Sequence, residues 1–312
     1  MVTTLAPARE GQVVRRPAAP RGIRSKLTLP RMLLMPALVI SIAITQIPFL
    51  VTIYYSTLRW NLLKPGDRGF VGFENYLQVL RSGDLFPSIT ATVMITGLSL
   101  VLSVFSGLIF ALLLDRKFIG QAVARTLLIT PFLVMPAAAA LIWKYSMFDT
   151  NIGVLNASLQ AIGLDPVAWN TQYPLATVVI VLTWQYTPFM MLIILAGLQS
   201  QSKDILEAAS VDGAGAGRTF LYITMPHLRQ YVEIAVLLGA ITLVQVFDPI
   251  AIMTKGTGGT KTLAYLLYER AFIGLNVGEA AAYGVVVVIL TIIVASVALR
   301  TLFSVFKVGA SK

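Results

Sequence analysis

The stretch EAASVDGAGAGRTFLYITMP, residues 207–226, lies between two of the most apolar segments of the chain. It combines two carboxylates with small side chains and with glycines at positions 213, 215 and 217. Such a stretch is poorly suited to the hydrocarbon core of a bilayer, where only regular, apolar helices satisfy their own backbone. The stretch therefore predicts a water-exposed loop between two membrane-embedded helices.

The local pattern within and just before this loop predicts a helical turn, a reversal and a second turn. Residues 205–209 favour a short helix, and Ser202 is placed to cap its start. Glycines from Gly213 onward end this helix and allow a tight reversal. Residues 218–224 can form a second helical turn, and Pro226 marks the next boundary.

The side chains of the loop suit contact with another protein. Ala208 and Ala209 leave little bulk, so a partner backbone could approach closely, while Glu207 and Asp212 offer negative charge to basic or amide groups. These features favour a compact plug that enters a groove on a soluble partner. The alternative is a solvated loop of no special role, which is the commoner fate of a polar loop.

Composition places the rest of the chain in lipid. Of the 312 residues 57% are hydrophobic and only 12% are charged, against about 25% charged in soluble domains. The absence of cysteine excludes disulfides and thiolate metal sites, and one histidine, His227, excludes a multi-histidine centre. We therefore predict no metal site and no catalytic residue, and expect His227 to be solvated or at a partner contact.

Apolar runs long enough to cross a bilayer recur along the chain. We predict an all-α, polytopic membrane protein with six transmembrane helices. The predicted spans lie near residues 32–54, 88–114, 123–143, 174–198, 231–254 and 282–306.

The distribution of lysine and arginine predicts the orientation. Sixteen of the 24 basic residues fall in the two tails, the turn near 116–125 and the 199–230 loop. Both termini and the 199–230 loop are therefore expected in the cytoplasm. We divide the chain into a basic, disordered tail (1–31), a membrane domain (32–306) and a C-terminal tail (307–312). The net charge of +10 is explained by this topology and by anionic lipid rather than by nucleic acid.

Several spaced motifs together resemble the permeases of ABC importers. The loop resembles their EAA motif, and FVGFENYLQVL (70–80) and FDPIAIMTKGTGGTKTLAYLLYERAF (247–272) resemble other parts of the carbohydrate-uptake branch, of the maltose and glycerol-phosphate type. Within that branch the resemblance is to trehalose importers of mycobacterial type, although the motifs leave the sugar open. The matching loop residues are Glu207, Ala208, Ala209, Asp212, Gly213 and Pro226.

This resemblance implies a type I importer fold and a division of labour. The chain would form half of the sugar path and pair with a second, different permease as a heterodimer in the bacterial cytoplasmic membrane. Two separate ATPase subunits would bind ATP and Mg²⁺ and receive the loop as a coupling helix, so this chain itself is not an enzyme. An extracytoplasmic sugar-binding protein would contact the outer loops.

A path for a polyhydroxylated solute needs polar groups that face the bundle interior. Gln245 and Asp248 are three residues apart in the fifth predicted span, which places them on one helical face. Gln185 lies in the fourth span beside Trp184, whose ring could stack on a sugar. Asp248 could instead reach the outer interface and merely cap or pair there.

Two other functions remain open at this point. A self-sufficient, ion-coupled secondary transporter would carry solute without ATPase subunits, but the spans contain no buried charge network and no inverted repeat is evident. A non-transporting membrane scaffold would need neither polar groups in a path nor a plug-like loop.

Overall fold

The computed structural model describes the backbone of residues 28–309 and the side chains of residues 34–296. The predicted disordered tail lies outside this range except for residues 28–31, which begin the first helix. The last three residues of the predicted C-terminal tail also lie outside it.

The described chain is almost entirely helical, as the composition predicts. In chain order the α-helices are α1 (Thr28–Ser56), α2 (Glu74–Arg81), α3 (Leu85–Asp115), α4 (Gln121–Leu133), α5 (Pro136–Ile142), α6 (Val154–Ala161), α7 (Trp169–Gln172), α8 (Pro174–Gln199), α9 (Lys203–Val211), α10 (Ala216–Thr219), α11 (Met225–Leu243), α12 (Leu263–Tyr268) and α13 (Val277–Gly309).

Short irregular elements punctuate these helices. Two antiparallel strands, β1 (Leu58–Arg59) and β2 (Gly69–Phe70), pair Leu58 with Phe70 in a ladder that the sequence analysis missed. Wider π-helical turns, which often occur at functional sites, extend or join the helices. They span Trp143–Met147, Phe220–Thr224, Ile250–Thr254 and Glu269–Ile273.

Among the described residues, four helices are long and apolar enough to cross a membrane, and a bent pair can supply a fifth span. The four are Leu34–Ser56 within α1, α3, α8 and Val277–Ser296 within α13. The bent pair is α4 with the segment Pro136–Met147, which meet at 100°. The bend has a local cause, since Pro136 restricts the residue before it to an extended conformation.

The fifth predicted span, 231–254, differs most from the structure. The α-helix ends at Leu243, residues 244–247 form an irregular segment, and helical winding resumes at Asp248 and continues into the next π-helical turn. Pro249 lies in the first turn of the new helical segment, where its missing N–H costs no hydrogen bond because the preceding backbone is irregular.

The chain divides into two compact units, residues 1–51 and 52–312. In the first unit, the described part of α1 presents large apolar side chains that are mostly exposed, as expected of a helix whose surroundings are lipid or another membrane helix.

Within the second unit, α8 is the central helix. Two thirds (67%) of its membrane-length window is buried inside the protein, against 28% for α3. α3 packs tightly against α8, where Gly107 meets Met190 and Met191. The buried residues of α3 are mostly small, and they include Ser88, Thr92, Thr96, Ser99, Ser103, Gly107 and Ala111.

The segments that connect the helices of the second unit lie at its two ends. At one end Arg270 forms an ion pair with Asp84 before α3 and lies 3.5 Å from Glu279 at the start of α13. Burial lowers the pKa of Arg270, but Glu279, Tyr283 and Asp84 together outweigh it and the pKa is raised, so the cation is retained. At the other end Gln121 donates to the carbonyl of Leu114, closing the turn between α3 and α4.

The packing of α3 on α8 generates a stability prediction. A Cβ atom at Gly107 would lie 2.8 Å from Met190 Cβ and 2.8 Å from the Met191 nitrogen, closer than real Cβ contacts. Gly107→Ala should therefore destabilise the purified protein by about 1–3 kcal/mol, the usual cost of overpacking. Thermal unfolding in detergent measures the effect.

Gly97→Ala is the matched control on the same helix, since no atom lies within 4 Å of the place that its methyl group would take. It should leave the unfolding temperature unchanged or raise it slightly, because alanine favours helix over glycine. Equal unfolding temperatures for the two variants would contradict the close approach of α3 and α8.

Candidate functional site

The 199–230 loop contains a short helix, α9, which ends near a glycine as the sequence predicts. Gly213 adopts a left-handed conformation (φ 76°) directly after α9. The N–H of Ala214 donates to the carbonyl of Ala209 at 2.9 Å, and that of Gly213 donates to Ser210 at 3.1 Å. This pair of bonds is a Schellman C-cap, which satisfies carbonyls that the helix end would leave free.

The start of α9 differs from the prediction. Ser202 lies at the N-cap position with extended backbone, but its side chain makes no capping hydrogen bond. Asp204 stands in the first turn, where its negative charge is favourable to the helix dipole. The helix therefore begins at the predicted place without the predicted side-chain cap.

The predicted partner-facing residues separate into exposed and buried members. Glu207, Ala208 and Asp212 are exposed, whereas Ala209 is 7% exposed and faces inward. Among the described residues neither Glu207 nor Asp212 forms an ion pair or a side-chain hydrogen bond, so both carboxylates present uncompensated charge to their surroundings. An acidic surface of this kind attracts basic groups on a partner.

Large apolar side chains in the same loop were missed by the sequence analysis. Val211 is 87% exposed, Tyr222 77%, Leu221 61% and Ile205 53%. Exposed apolar residues beside charges are typical of a surface that another protein covers. The signal in the sequence is weak, because such residues are equally common in helix cores.

The second half of the loop leads into α11 without a break. α10 continues through the π-helical turn Phe220–Thr224 into α11, and Pro226 lies at the first turn of α11. Because proline has no backbone N–H, Pro226 cannot donate to a carbonyl of the turn before it, and it lies where the winding changes from π- to α-helical. The predicted boundary is therefore a change of winding within a continuous helix.

A hydrogen-bonded cluster fastens this end of the loop to α8. His227 Nε2 lies 3.1 Å from the carbonyl oxygen of Gly197 and 3.0 Å from Ser200 Oγ. The hydroxyl of Tyr231 lies 2.8 Å from the same Ser200 Oγ. His227 is therefore a structural tether rather than the solvated or partner-contacting residue that the sequence analysis expects.

The tether requires close packing at the end of α8. A Cβ atom at Gly197 would lie 2.6 Å from the ring of Tyr231, so a larger residue there would push the two helices apart. The loop is thus held to the central helix by hydrogen bonds and by contact between backbone and ring.

Gln185 occupies a structural position in the middle of α8. It is 3% exposed, and its Nε2 donates to the carbonyl of Val134 at 3.0 Å. Val134 lies at the break between α4 and α5, where the helix leaves carbonyls unpaired. The side-chain oxygen Oε1 of Gln185 has no partner among the described residues.

Trp184 lines a cavity of about 490 Å³ between α3, α4 and α8. The cavity walls are mainly apolar, with polar groups from Ser106, Thr183 and Thr187. The Trp184 ring meets Trp143 edge-on at a centroid distance of 5.7 Å. The structure therefore places the predicted aromatic residue on an open cavity, while its neighbour Gln185 turns into the protein.

Gln245 and Asp248 do not share one helical face, because the irregular segment 244–247 separates the helix before Gln245 from the helical turn that begins at Asp248. Gln245 is exposed and its Nε2 donates to the carbonyl of Ile241 at 3.3 Å, at the end of α11. Asp248 is half-buried, and its side chain forms no hydrogen bond or ion pair within the described residues. The two polar groups therefore lie on either side of a chain break rather than along one helix stripe.

Comparison with known proteins finds a matching family model and relatives that are named as transporter permeases. The family model described as "Binding-protein-dependent transport system inner membrane component" matches residues 103–306. A probable ABC transporter permease of Sinorhizobium fredii is 36% identical over 86% of this chain and 88% of its own length. The trehalose transport system permease of Mycobacterium tuberculosis is 32% identical over 82% of each chain.

A solved structure supports the fold. A chain of a bacterial ABC transporter involved in the import of the acidic polysaccharide alginate matches with a TM-score of 0.75. The match covers 90% of this chain and 97% of that chain at 20% identity. At this identity the likeness concerns the fold alone.

The C-cap of α9 generates a prediction about local stability. Gly213→Ala forces an alanine into a left-handed conformation, which costs about 1–2 kcal/mol. The end of α9 should therefore open more often, and hydrogen exchange of the amides at 212–214 should accelerate about five- to thirtyfold. Gly217→Ala is the control, because Gly217 lies in α10 with ordinary φ and with open space around it. Unchanged exchange in Gly213→Ala would contradict the C-cap.

Proposed function

We propose a sugar-import function for this chain, which belongs to the family of binding-protein-dependent transport system inner membrane components. Its relatives are named as ABC transporter permeases, and one of them is named for trehalose transport. The chain would form half of a path for a sugar of disaccharide size. Trehalose is the first candidate substrate.

The observation that carries this proposal is the surface of α9. The side chains of Glu207 and Asp212 have no hydrogen-bond or ion-pair partners among the described residues, and they lie beside the exposed side chains of Ile205 and Val211. A loop that served only as a connection would not need apolar side chains in water or a hydrogen-bonded tether to α8. We assign this surface, with Ala208, Gly213 and Pro226 as its supports, to docking in a groove of an ATPase subunit.

The tether gives docking a mechanical consequence. A displacement of α9 is passed through α10 to α11 and, at His227, to the end of α8. Coupling between distant sites needs an element whose arrangement both sites influence. We assign that role to the α8–α11 pair, which carries the loop at one end and borders the candidate path residues farther along.

The path itself is proposed to run past the irregular segment 244–247, the adjoining Asp248 and the Trp184 cavity. Irregular backbone at membrane depth is tolerated where it is buried in protein or lines a water-filled cavity. Gln245 and Asp248 would supply hydrogen bonds to sugar hydroxyls in such a cavity, and Trp184 an apolar ring face. Gln185 would act indirectly, by holding the break between α4 and α5.

The remaining parts of the importer are proposed as separate chains. A second permease, different from this one, would complete the path as a heterodimer, and two ATPase subunits would bind ATP and Mg²⁺. A sugar-binding protein would dock on the loops 55–87 and 144–173 outside the bacterial cytoplasmic membrane. Both termini and α9 would lie in the cytoplasm.

Charge reversal at Glu207 tests the coupling role. Glu207→Lys should abolish sugar uptake and reduce co-purification of the ATPase subunits at least about tenfold, since like charge across an interface costs several kcal/mol. The permease should still insert and pair, because Glu207 makes no hydrogen bond or ion pair with the rest of the described chain.

Asp115→Lys is the control, as Asp115 is equally exposed but lies at the end of α3, outside the 199–230 loop and outside the loops assigned to the binding protein. Its uptake should match that of the unmodified protein. Normal uptake by Glu207→Lys would refute the coupling role, and uptake by this chain alone in liposomes would favour a secondary transporter.

A second experiment tests the substrate class. The assembled importer in nanodiscs should hydrolyse ATP faster when its binding protein carries trehalose or another disaccharide than when the binding protein is empty. The rate of phosphate release is measured across a panel of sugars with an amino acid as the negative control. Stimulation by the amino acid alone, or by no sugar, would refute sugar import.

A further inference from the structure

A small polar pocket lies beside the π-helical turn Trp143–Met147, away from the Trp184 cavity. It has a volume of about 140 Å³ and is lined by Lys144, Tyr145, Phe148, Asp149, Trp169 and Asn170, among others. Clefts for drug-sized ligands are about 300–1,000 Å³, so this pocket can hold only a ligand fragment of one ring.

Two charged side chains that line the pocket are held in fixed positions by the protein. Lys144 Nζ donates to the carbonyl of Ile252 at 2.6 Å. Asp149 Oδ1 accepts the backbone N–H groups of Asn151 and Ile152 at 2.9 and 3.1 Å. Groups fixed in this way lose little freedom when a ligand binds.

Asp149 keeps its negative charge under ordinary conditions. The backbone N–H groups of Ile152 and Asn151 lower the pKa of its carboxyl group. Only its Oδ1 atom accepts these bonds, so Oδ2 can still accept a hydrogen bond from a hydroxyl group of a ligand.

Asn170 supplies the atom that most needs a partner. Its Oδ1 atom is buried and has no hydrogen-bond partner among the described residues. A buried polar atom without a partner carries a free-energy cost, so it calls for water or a ligand. Asn170 and Asp149 both line the pocket, which makes that ligand one with several hydroxyl groups.

Aromatic rings form the apolar part of the pocket wall. Trp169 is fixed by a 3.1 Å hydrogen bond from its Nε1 atom to Asn156 and packs against Phe148, with ring centroids 6.0 Å apart. Phe148 in turn contacts Trp143, whose ring meets Trp184. Aromatic contacts therefore connect the pocket to the larger cavity on the proposed path.

We infer that this pocket is a subsite for a single sugar ring, separate from the Trp184 cavity. Ring carbons of the sugar would lie against Tyr145 and Trp169, and its hydroxyl groups would reach Asn170 Oδ1 and Asp149. The inference rests on the proposed sugar-import function and names a second point on the route at which this chain recognises its substrate.

Direct binding tests the subsite without the binding protein. The permease with its partner permease and ATPase subunits is placed in nanodiscs, and saturation-transfer NMR records trehalose, maltose and glucose in turn. The unmodified complex should transfer magnetisation to ring protons of at least one sugar. Asn170→Leu should weaken that binding about tenfold, because it removes the buried acceptor.

Asn151→Leu is the matched control, since Asn151 is exposed in the same segment and does not line the pocket. Tyr145→Ala is a second test variant on the exposed rim, and it carries the test if Asn170→Leu fails to assemble. Equal sugar binding by the unmodified complex and the assembled test variant, or no sugar binding by the unmodified complex, would overturn the subsite.

Failure of the subsite and failure of the proposed function give different results. If only the subsite is wrong, the unmodified importer still carries out ATP-driven, binding-protein-dependent sugar uptake while Asn170→Leu binds sugar normally. If the proposed function is wrong, the unmodified importer shows no such uptake with any sugar.

Discussion

The close packing of α8 against its neighbours is the constraint on which the other described features depend. Gly107 lets α3 approach α8 to backbone contact, and Gly197 lets Tyr231 do the same from α11. Before these points along α8, Gln185 reaches out to the broken pair α4–α5. Small residues have this effect in membrane proteins because lipid supplies no hydrophobic force between helices, so association relies on close contact. The central helix therefore sets the positions of both the loop and the proposed path.

Rigid and irregular stretches of backbone therefore alternate in the second unit. The loop end of α8 is fixed by the hydroxyl and imidazole groups around Ser200, whereas residues 244–247 and the break after Leu133 have no regular helical winding. Rigid segments transmit displacement, and irregular segments absorb changes in φ and ψ. In an importer, motion that begins at α9 would thus be carried along α8 and α11 and taken up near the path.

The sequence was sufficient for the elements that depend on apolar length and on glycine. It predicted α3, α8 and α13 closely, and the end of α9 at Gly213, because these follow from burial of apolar side chains and from one backbone preference. It did not predict the break at 244–247, because apolar residues continue on both sides of it and Pro249, just after it, does not distinguish a kink from an end.

Only part of the candidate site could be predicted from the sequence, namely the part that depends on residue type and not on distant partners. Exposed carboxylates in the loop are evident from residue type, but the tether of His227 and the inward turn of Gln185 depend on partners 30 and 51 residues away in the chain. Such long-range hydrogen bonds leave no local pattern. The exposure of Val211 is equally hidden, since an apolar residue in a short helix more often packs inward.

The end of α9 is closed by main-chain hydrogen bonds alone, apart from the need for glycine at position 213. Its outward side chains are therefore free to vary during evolution while the turn keeps its shape. If α9 docks on an ATPase subunit as proposed, duplicated permeases can diverge at these positions and bind different ATPase subunits. A cell with many importers would thereby avoid mismatched assemblies.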